Sequence, residues 1–95
     1  MTTQQNQTKN IIVYSKNNCV YCGKAKTLIS NLGLDYTEKK LEEFDSPQAM
    51  IKDIGKNVRS MPQIKIDGEL IGGYNQLIEY FVDKGKVDFK GNIKK

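Results

Sequence analysis

Ile11-Ile12-Val13-Tyr14-Ser15-Lys16-Asn17-Asn18-Cys19-Val20-Tyr21-Cys22 is the stretch on which the reading of this chain turns. Its first four residues are β-branched or aromatic, a composition that suits a buried strand. Residues 15–18 are polar and read as a loop. Beyond the second cysteine, apolar residues recur at Ala25, Leu28, Ile29 and Leu32, the spacing of one helix face, and Gly33 follows as a stop. Cys19 and Cys22 therefore stand at a strand-to-helix junction, where a helix N-terminus can stabilise a thiolate. They are the only 2 cysteines, and the chain has no histidine to compete as nucleophile or metal ligand. The pair points to thiol–disulfide chemistry. An inert core pair is the bland alternative, and it is poorly matched to a helix start.

The remaining segments extend this strand and helix into a sheet. Residues 34–40, with Tyr36 and Thr37, read as a second strand, parallel to the first through a crossover. Ser46-Pro47 then opens a helix, with serine as N-cap and proline in the tolerated first turn. Its apolar face is Met50, Ile51 and Ile54, and Gly55 ends it. Gln63-Ile64-Lys65-Ile66 alternates polar and apolar. Asp67-Gly68 is a two-residue hairpin signal, and Glu69-Leu70-Ile71 returns as the antiparallel partner. Gly72-Gly73 breaks that strand, and Leu77, Ile78, Phe81 and Val82 mark a last helix before Gly85. The order β-α-β-α-β-β-α predicts an α/β domain with a four-stranded mixed sheet flanked by three helices.

Composition sets the outer limits. A chain of 95 residues, 38% hydrophobic and 27% charged, supports one soluble globular domain and no second core. No apolar run approaches the ~20 residues needed to span a bilayer. Residues 1–10 are rich in Thr, Gln and Asn and lack the apolar core of a signal peptide, so a cytoplasmic setting is expected. A bridge between Cys19 and Cys22 closes too small a loop to serve as a secreted scaffold, which also favours a reducing compartment. The expected division is a flexible tail over 1–10, a folded domain over 11–84, and a Lys-rich tail over 85–95 that adds little to the core. The net charge is +4, yet the lysines are spread, with a loose concentration at Lys84, Lys86, Lys90, Lys94 and Lys95. That pattern reads as a solvated terminus rather than a nucleic-acid arm. Neither nucleic acid nor membrane is an expected partner, and a monomer is expected.

Three landmarks in order carry a family resemblance: Cys19-Val20-Tyr21-Cys22, Ser60-Met61-Pro62-Gln63, and Gly72-Gly73. Cys-x-x-Cys alone is a weak signal. All three, on this order of elements, make a specific one. Over residues 11–84 the chain resembles a dithiol glutaredoxin of the thioredoxin-fold superfamily. The variant Gly72-Gly73-Tyr74-Asn75-Gln76-Leu77, with valine between the cysteines, is similar to glutaredoxins of bacterial viruses, which deliver electrons to ribonucleotide reductase. The resemblance implies glutathione as reductant, and disulfide-containing or glutathionylated proteins as partners.

On this reading Cys19 sits at the helix start as the attacking thiolate, favoured by unpaired backbone N–H groups, the helix dipole, and the charges of Lys16 and Lys24. Cys22, one turn inside, is the resolving thiol. The resemblance implies that the Tyr21 ring flanks bound glutathione, although a partly buried packing tyrosine is the plainer reading. It implies a cis Met61–Pro62 bond facing the cysteines, where proline alone would read as an ordinary trans residue at a strand edge. Met61 would then offer its N–H and C=O to a substrate's cysteinyl segment as an added strand. Gly73 permits close backbone approach, and the N–H groups of Asn75 and Gln76 at a helix start suit the γ-glutamyl carboxylate. Asn75 as a mere N-cap is the alternative. Lys16 is the partner expected for the glycyl carboxylate, with Arg59 second.

Gln76 departs from the common family pattern, which has aspartate there to face the γ-glutamyl ammonium. A neutral hydrogen bond is about half as strong as a charge-assisted one, so service by thioredoxin reductase stands as an alternative. Two cysteines without histidine cannot complete a tetrahedral zinc site in one chain, and no metal is expected. A [2Fe–2S] cluster shared across a dimer with glutathione remains the non-enzymatic alternative.

Overall fold

The computed structural model describes residues 10–88. Its elements run β1 (Ile11–Ser15), α1 (Val20–Asn31), β2 (Thr37–Lys40), α2 (Pro47–Ile54), β3 (Gln63–Ile66), β4 (Glu69–Gly72) and α3 (Tyr74–Asp83). Strand order is β2-β1-β3-β4, with β1 parallel to β2 and antiparallel to β3. This is the thioredoxin-like arrangement expected from the sequence.

Local chemistry explains most boundaries. Ser46 caps α2 by accepting the Ala49 N–H on its Oγ at 3.1 Å, and Pro47 follows in the first turn, where its missing N–H costs nothing. Gly55 ends α2 in the left-handed region at φ 92°. Asp67 (φ 54°) and Gly68 (φ 85°) both take positive φ, the geometry a two-residue hairpin between β3 and β4 requires. The register steps from Ile64–Gly72 to Lys65–Leu70, so β4 carries one extra residue, Ile71, as a bulge.

The sheet is covered on both faces. Ile11, Val13, Ile64 and Ile66 pack with Ala25, Leu28 and Ile29 of α1 and with Leu77 and Phe81 of α3. On the other face Tyr14 meets Met50 and Ile54 of α2, with Ile12, Leu41, Phe44 and Val58 around them. Each such aliphatic or aromatic side chain stabilises the fold by ~1.5–3 kcal/mol when fully buried. The Tyr14 hydroxyl donates to Asp53 Oδ2 at 2.8 Å, and Lys39 pairs with the same carboxylate at 3.0 Å, fastening α2 to β1 and β2. Burial, then the neighbouring Asp53, pushes the Tyr14 phenol far up.

Two expectations need correction, and one turn went unannounced. The second strand pairs only over Thr37–Lys40, because Leu34 and Tyr36 turn onto the core instead of joining the ladder. A single 3-10 turn, Leu41–Glu43, follows it without any sequence signal of its own. The stretch after residue 84 was expected to add little, yet Val87 is 1% exposed within the α1/α3 core cluster, so packing runs past that boundary. Residues 1–9 and 89–95, and with them most of both expected tails, lie outside the described residues.

One polar cluster anchors the strand that leads to the cysteines. Buried Ser15, the last residue of β1, donates to Glu38 Oε2 at 2.7 Å, and Lys26 of α1 pairs with the same oxygen at 2.8 Å. The Lys26 hydrogen bond, then that of Ser15, holds the Glu38 carboxyl below its ordinary range. β1, β2 and α1 are thereby tied together one loop before Cys19.

Candidate active site

The loop after β1 turns at Asn18, which takes φ 57°, and delivers Cys19 in an extended conformation as the N-cap of α1. Its Sγ accepts the N–H of Cys22 at 3.2 Å. A sulfur here faces N–H groups that have no partner within the helix, together with the positive end of the helix dipole. Cys22, in the first turn, is buried at 2% exposure, whereas Cys19 is only half-buried. The two are joined as a disulfide. One sulfur is thus open to attack, and its partner lies behind it in the core.

The loop before β3 supplies the next wall. The Met61–Pro62 bond is cis, and the Met61 carbonyl oxygen stands 3.7 Å from Cys19 Sγ. Buried Gln63 donates from Nε2 to the Ser60 carbonyl at 2.9 Å, which fixes the loop against the start of β3.

The third wall is the start of α3. Gly73 is the N-cap, so the helix begins at Tyr74, one residue before the position near Asn75 read from sequence. Asn75 is the second helical residue, which removes its alternative reading as an N-cap. Gln76 reaches back, and its Oε1 accepts the Gly73 N–H at 2.9 Å. The first intrahelical bond runs from the Leu77 N–H to the Gly73 carbonyl at 2.9 Å, leaving the Tyr74, Asn75 and Gln76 N–H groups directed out of the helix end. Gly72, at φ 125°, lies so close to this turn that a Cβ would sit 2.9 Å from Gln76 Cγ.

Tyr21 of α1, the loop before β3 and the start of α3 line a groove of about 360 Å³, whose lining residues include neither cysteine. It brings together six residues singled out from sequence: Tyr21, Met61, Pro62, Gly73, Asn75 and Gln76. Two more, Ser60 and Tyr74, were missed. Tyr74 had been given no role of its own, although an aromatic at the first position of a helix with its apolar face at Leu77 and Phe81 was a usable signal. Its ring lies 5.8 Å from that of Tyr21, tilted by 40°, and Lys24 Nζ stands 5.2 Å from the Tyr21 ring centre. Tyr21 is 55% exposed, so it is no core packing residue. Lys16 and Arg59 line a different groove of about 350 Å³, which meets the first at Met61. No group of three or more His, Cys, Asp or Glu gathers to hold a metal among the described residues. None of the described helices is long and apolar enough to cross a membrane.

Comparison with known proteins agrees with this geometry. The family profile described as Glutaredoxin matches residues 11–71. Glutaredoxin 3 of Escherichia coli (strain K12) is 36% identical over 69 residues, covering 72% of this chain and 81% of that protein. Glutaredoxin 1 from Francisella tularensis, solved in complex with cacodylate, is similar in structure with a TM-score of 0.68 and 26% identity, over 81% of this chain and 95% of the other. A buckwheat glutaredoxin–glutathione complex gives a TM-score of 0.67 at 29% identity, over 80% of this chain and 71% of the other.

Proposed function

The chain belongs to the glutaredoxin family, with the dithiol motif of a disulfide oxidoreductase intact, and on that premise we propose that it reduces protein disulfides and glutathione mixed disulfides at the expense of glutathione. The Cys19 thiolate attacks one sulfur of the substrate disulfide, whose S–S bond breaks, and the departing thiolate takes up a proton. Cys22 loses its proton and attacks Cys19 Sγ, which releases the second substrate thiol and leaves the Cys19–Cys22 disulfide. One glutathione thiolate opens that disulfide at Cys19. A second attacks the glutathione sulfur of the adduct, and glutathione disulfide departs with both electrons accounted for.

The observation that carries this reading is the unequal exposure of two bonded sulfurs, one half-buried at a helix N-cap and the other closed in the core. Glutathione fits the groove in outline: its cysteinyl part beside the Met61 backbone, its γ-glutamyl carboxylate on the Asn75 and Gln76 N–H groups, and the Tyr21 ring alongside. Lys16 and Arg59, across Met61, are the cations available to its glycyl carboxylate. The buckwheat relative, solved as a glutathione complex, supports the same choice of ligand. The test is a pair of variants. Cys19→Ser should abolish all turnover, while Cys22→Ser should keep glutathione-dependent release of glutathione from mixed disulfides and lose protein-disulfide reduction. Full activity in Cys19→Ser would overturn the assignment of roles.

Electron delivery to ribonucleotide reductase is the finer role we propose, on the viral flavour of residues 72–77 and of Val20. Stimulation of that enzyme's turnover in a reconstituted glutathione system is its measure. One observation favours a second reading. Gln76 is neutral, and its oxygen is already engaged by the Gly73 N–H, so it offers less to the γ-glutamyl ammonium than a free carboxylate would. Coupled assays comparing glutathione with thioredoxin reductase separate the two reductants. Carriage of a [2Fe–2S] cluster would draw Cys19 from two chains, and a brown dimer after anaerobic reconstitution with glutathione is the outcome that would favour it.

A further inference from the structure

Two grooves of similar size meet at Met61, and glutathione placed as proposed above would reach the second only through its glycyl carboxylate at Lys16 and Arg59. That groove is floored by Leu41, Met50, Ile51 and Val58 and edged by Lys16 and Arg59. Met50 is buried, and Leu41 and Val58 pack onto the Tyr14 cluster, but half-buried Ile51 belongs to neither core cluster. The glycine end of glutathione can bring a carboxylate to the two cations. It has no side chain to cover the apolar floor behind them. No carboxylate lines the groove among the described residues, so its rim complements negative charge.

A polypeptide whose cysteine is bonded to Cys19 and whose backbone pairs with Met61 must leave the site in two directions. Of the two grooves that share Met61, one runs by Tyr21 and Tyr74, and the other is open to the second flank. We propose that the second groove docks one flank of a protein disulfide substrate, taking a bulky aliphatic side chain on its floor and a neighbouring carboxylate on Lys16 and Arg59. The inference rests on the reductase reading above and adds the class of protein sequence preferred.

The test uses symmetric disulfide-linked peptide dimers in which the cysteine is flanked on one side, or on the other, by a Leu-Glu pair, against dimers with Ser-Gln at those places. The mixed disulfide of cysteine and glutathione serves as the small reference substrate. The unmodified protein should reduce the Leu-Glu dimer of one orientation with a kcat/KM about tenfold above its Ser-Gln counterpart, the scale of one apolar side chain entering a pocket. Ile51→Gln should bring that ratio to about twofold or less while turnover of the small disulfide holds, with Ile51→Thr acting alike and Ile51→Leu keeping the preference. Equal turnover of all dimers would overturn the inference. So would a proportional fall on the small disulfide in Ile51→Gln. Absence of turnover on the small disulfide by the unmodified protein would sink the reductase reading and this inference together, whereas turnover there without any flank preference sinks this inference alone.

Discussion

Gly72→Ala should damage the start of α3 far more than the same change at Gly68 damages its hairpin, although both glycines have positive φ. At Gly72 (φ 125°) the added Cβ would lie 2.9 Å from Gln76 Cγ, 3.0 Å from its Cβ and 3.3 Å from its Cδ. Carbon atoms prefer about 3.5–4.0 Å, and the Cβ of Gln76 is fixed to the helix backbone, so the first turn of α3 must move. Positive-φ strain costs about 1–3 kcal/mol, and the overpacking a further ~1–3 kcal/mol. Gly68 (φ 85°) has nothing within 4 Å of its ideal Cβ, so only the strain applies there. The turn that moves carries the Gly73 N–H to Gln76 Oε1 bond and the N–H groups assigned to the γ-glutamyl carboxylate. Losing the alignment of one hydrogen bond to a charged group costs ~1.5–3 kcal/mol, roughly a tenfold or greater rise in KM for glutathione. Urea unfolding followed by circular dichroism reads the first effect, and steady-state kinetics read the second. Gly68→Ala should leave KM where it was. Equal stability losses in the two variants, or an unmoved KM in Gly72→Ala, would refute the reasoning.

Further outcomes follow from the same geometry. Ser46→Ala removes the acceptor for the Ala49 N–H at the start of α2 and should cost about 1 kcal/mol in thermal unfolding without altering turnover of a small mixed disulfide. Glu38 has its folded pKa lowered, so its contribution is complete above the unfolded value of ~4.3 and is lost as pH falls through the lower folded value. Glu38→Gln should therefore flatten the acid limb of the stability curve, and urea midpoints measured across that range would show it; an unchanged slope would contradict the pairing of Glu38 with Lys26 and Ser15.

Much of the fold was legible because each element carried its own local signal. The cap at Ser46-Pro47, the stops at Gly33 and Gly55, the hairpin at Asp67-Gly68 and the helix faces of Ala25/Leu28/Ile29 and Leu77/Phe81 all depend on neighbours close in sequence. What was not legible depends on tertiary contact. Val87 is a lone apolar residue between Lys86 and Asp88, without periodicity, and only the α1/α3 core gives it a place. Leu34 and Tyr36 look like strand residues, yet core packing takes them from the ladder. At the site, the start of α1, the loop before β3 and the start of α3 lie close together. The partition of Lys16 and Arg59 into a separate groove arose from the path of residues 57–61 past α2, which has no period or cap to announce it.

The measurement closest to the central claim is the rate of alkylation of Cys19 in the reduced protein as a function of pH, with Cys22→Ser used to isolate the thiol. A sulfur that caps a helix and accepts the N–H at position 22 should ionise well below the ~8.5 of a free cysteine, so that most of it is thiolate at neutral pH. A titration midpoint at or above the free value would contradict the account.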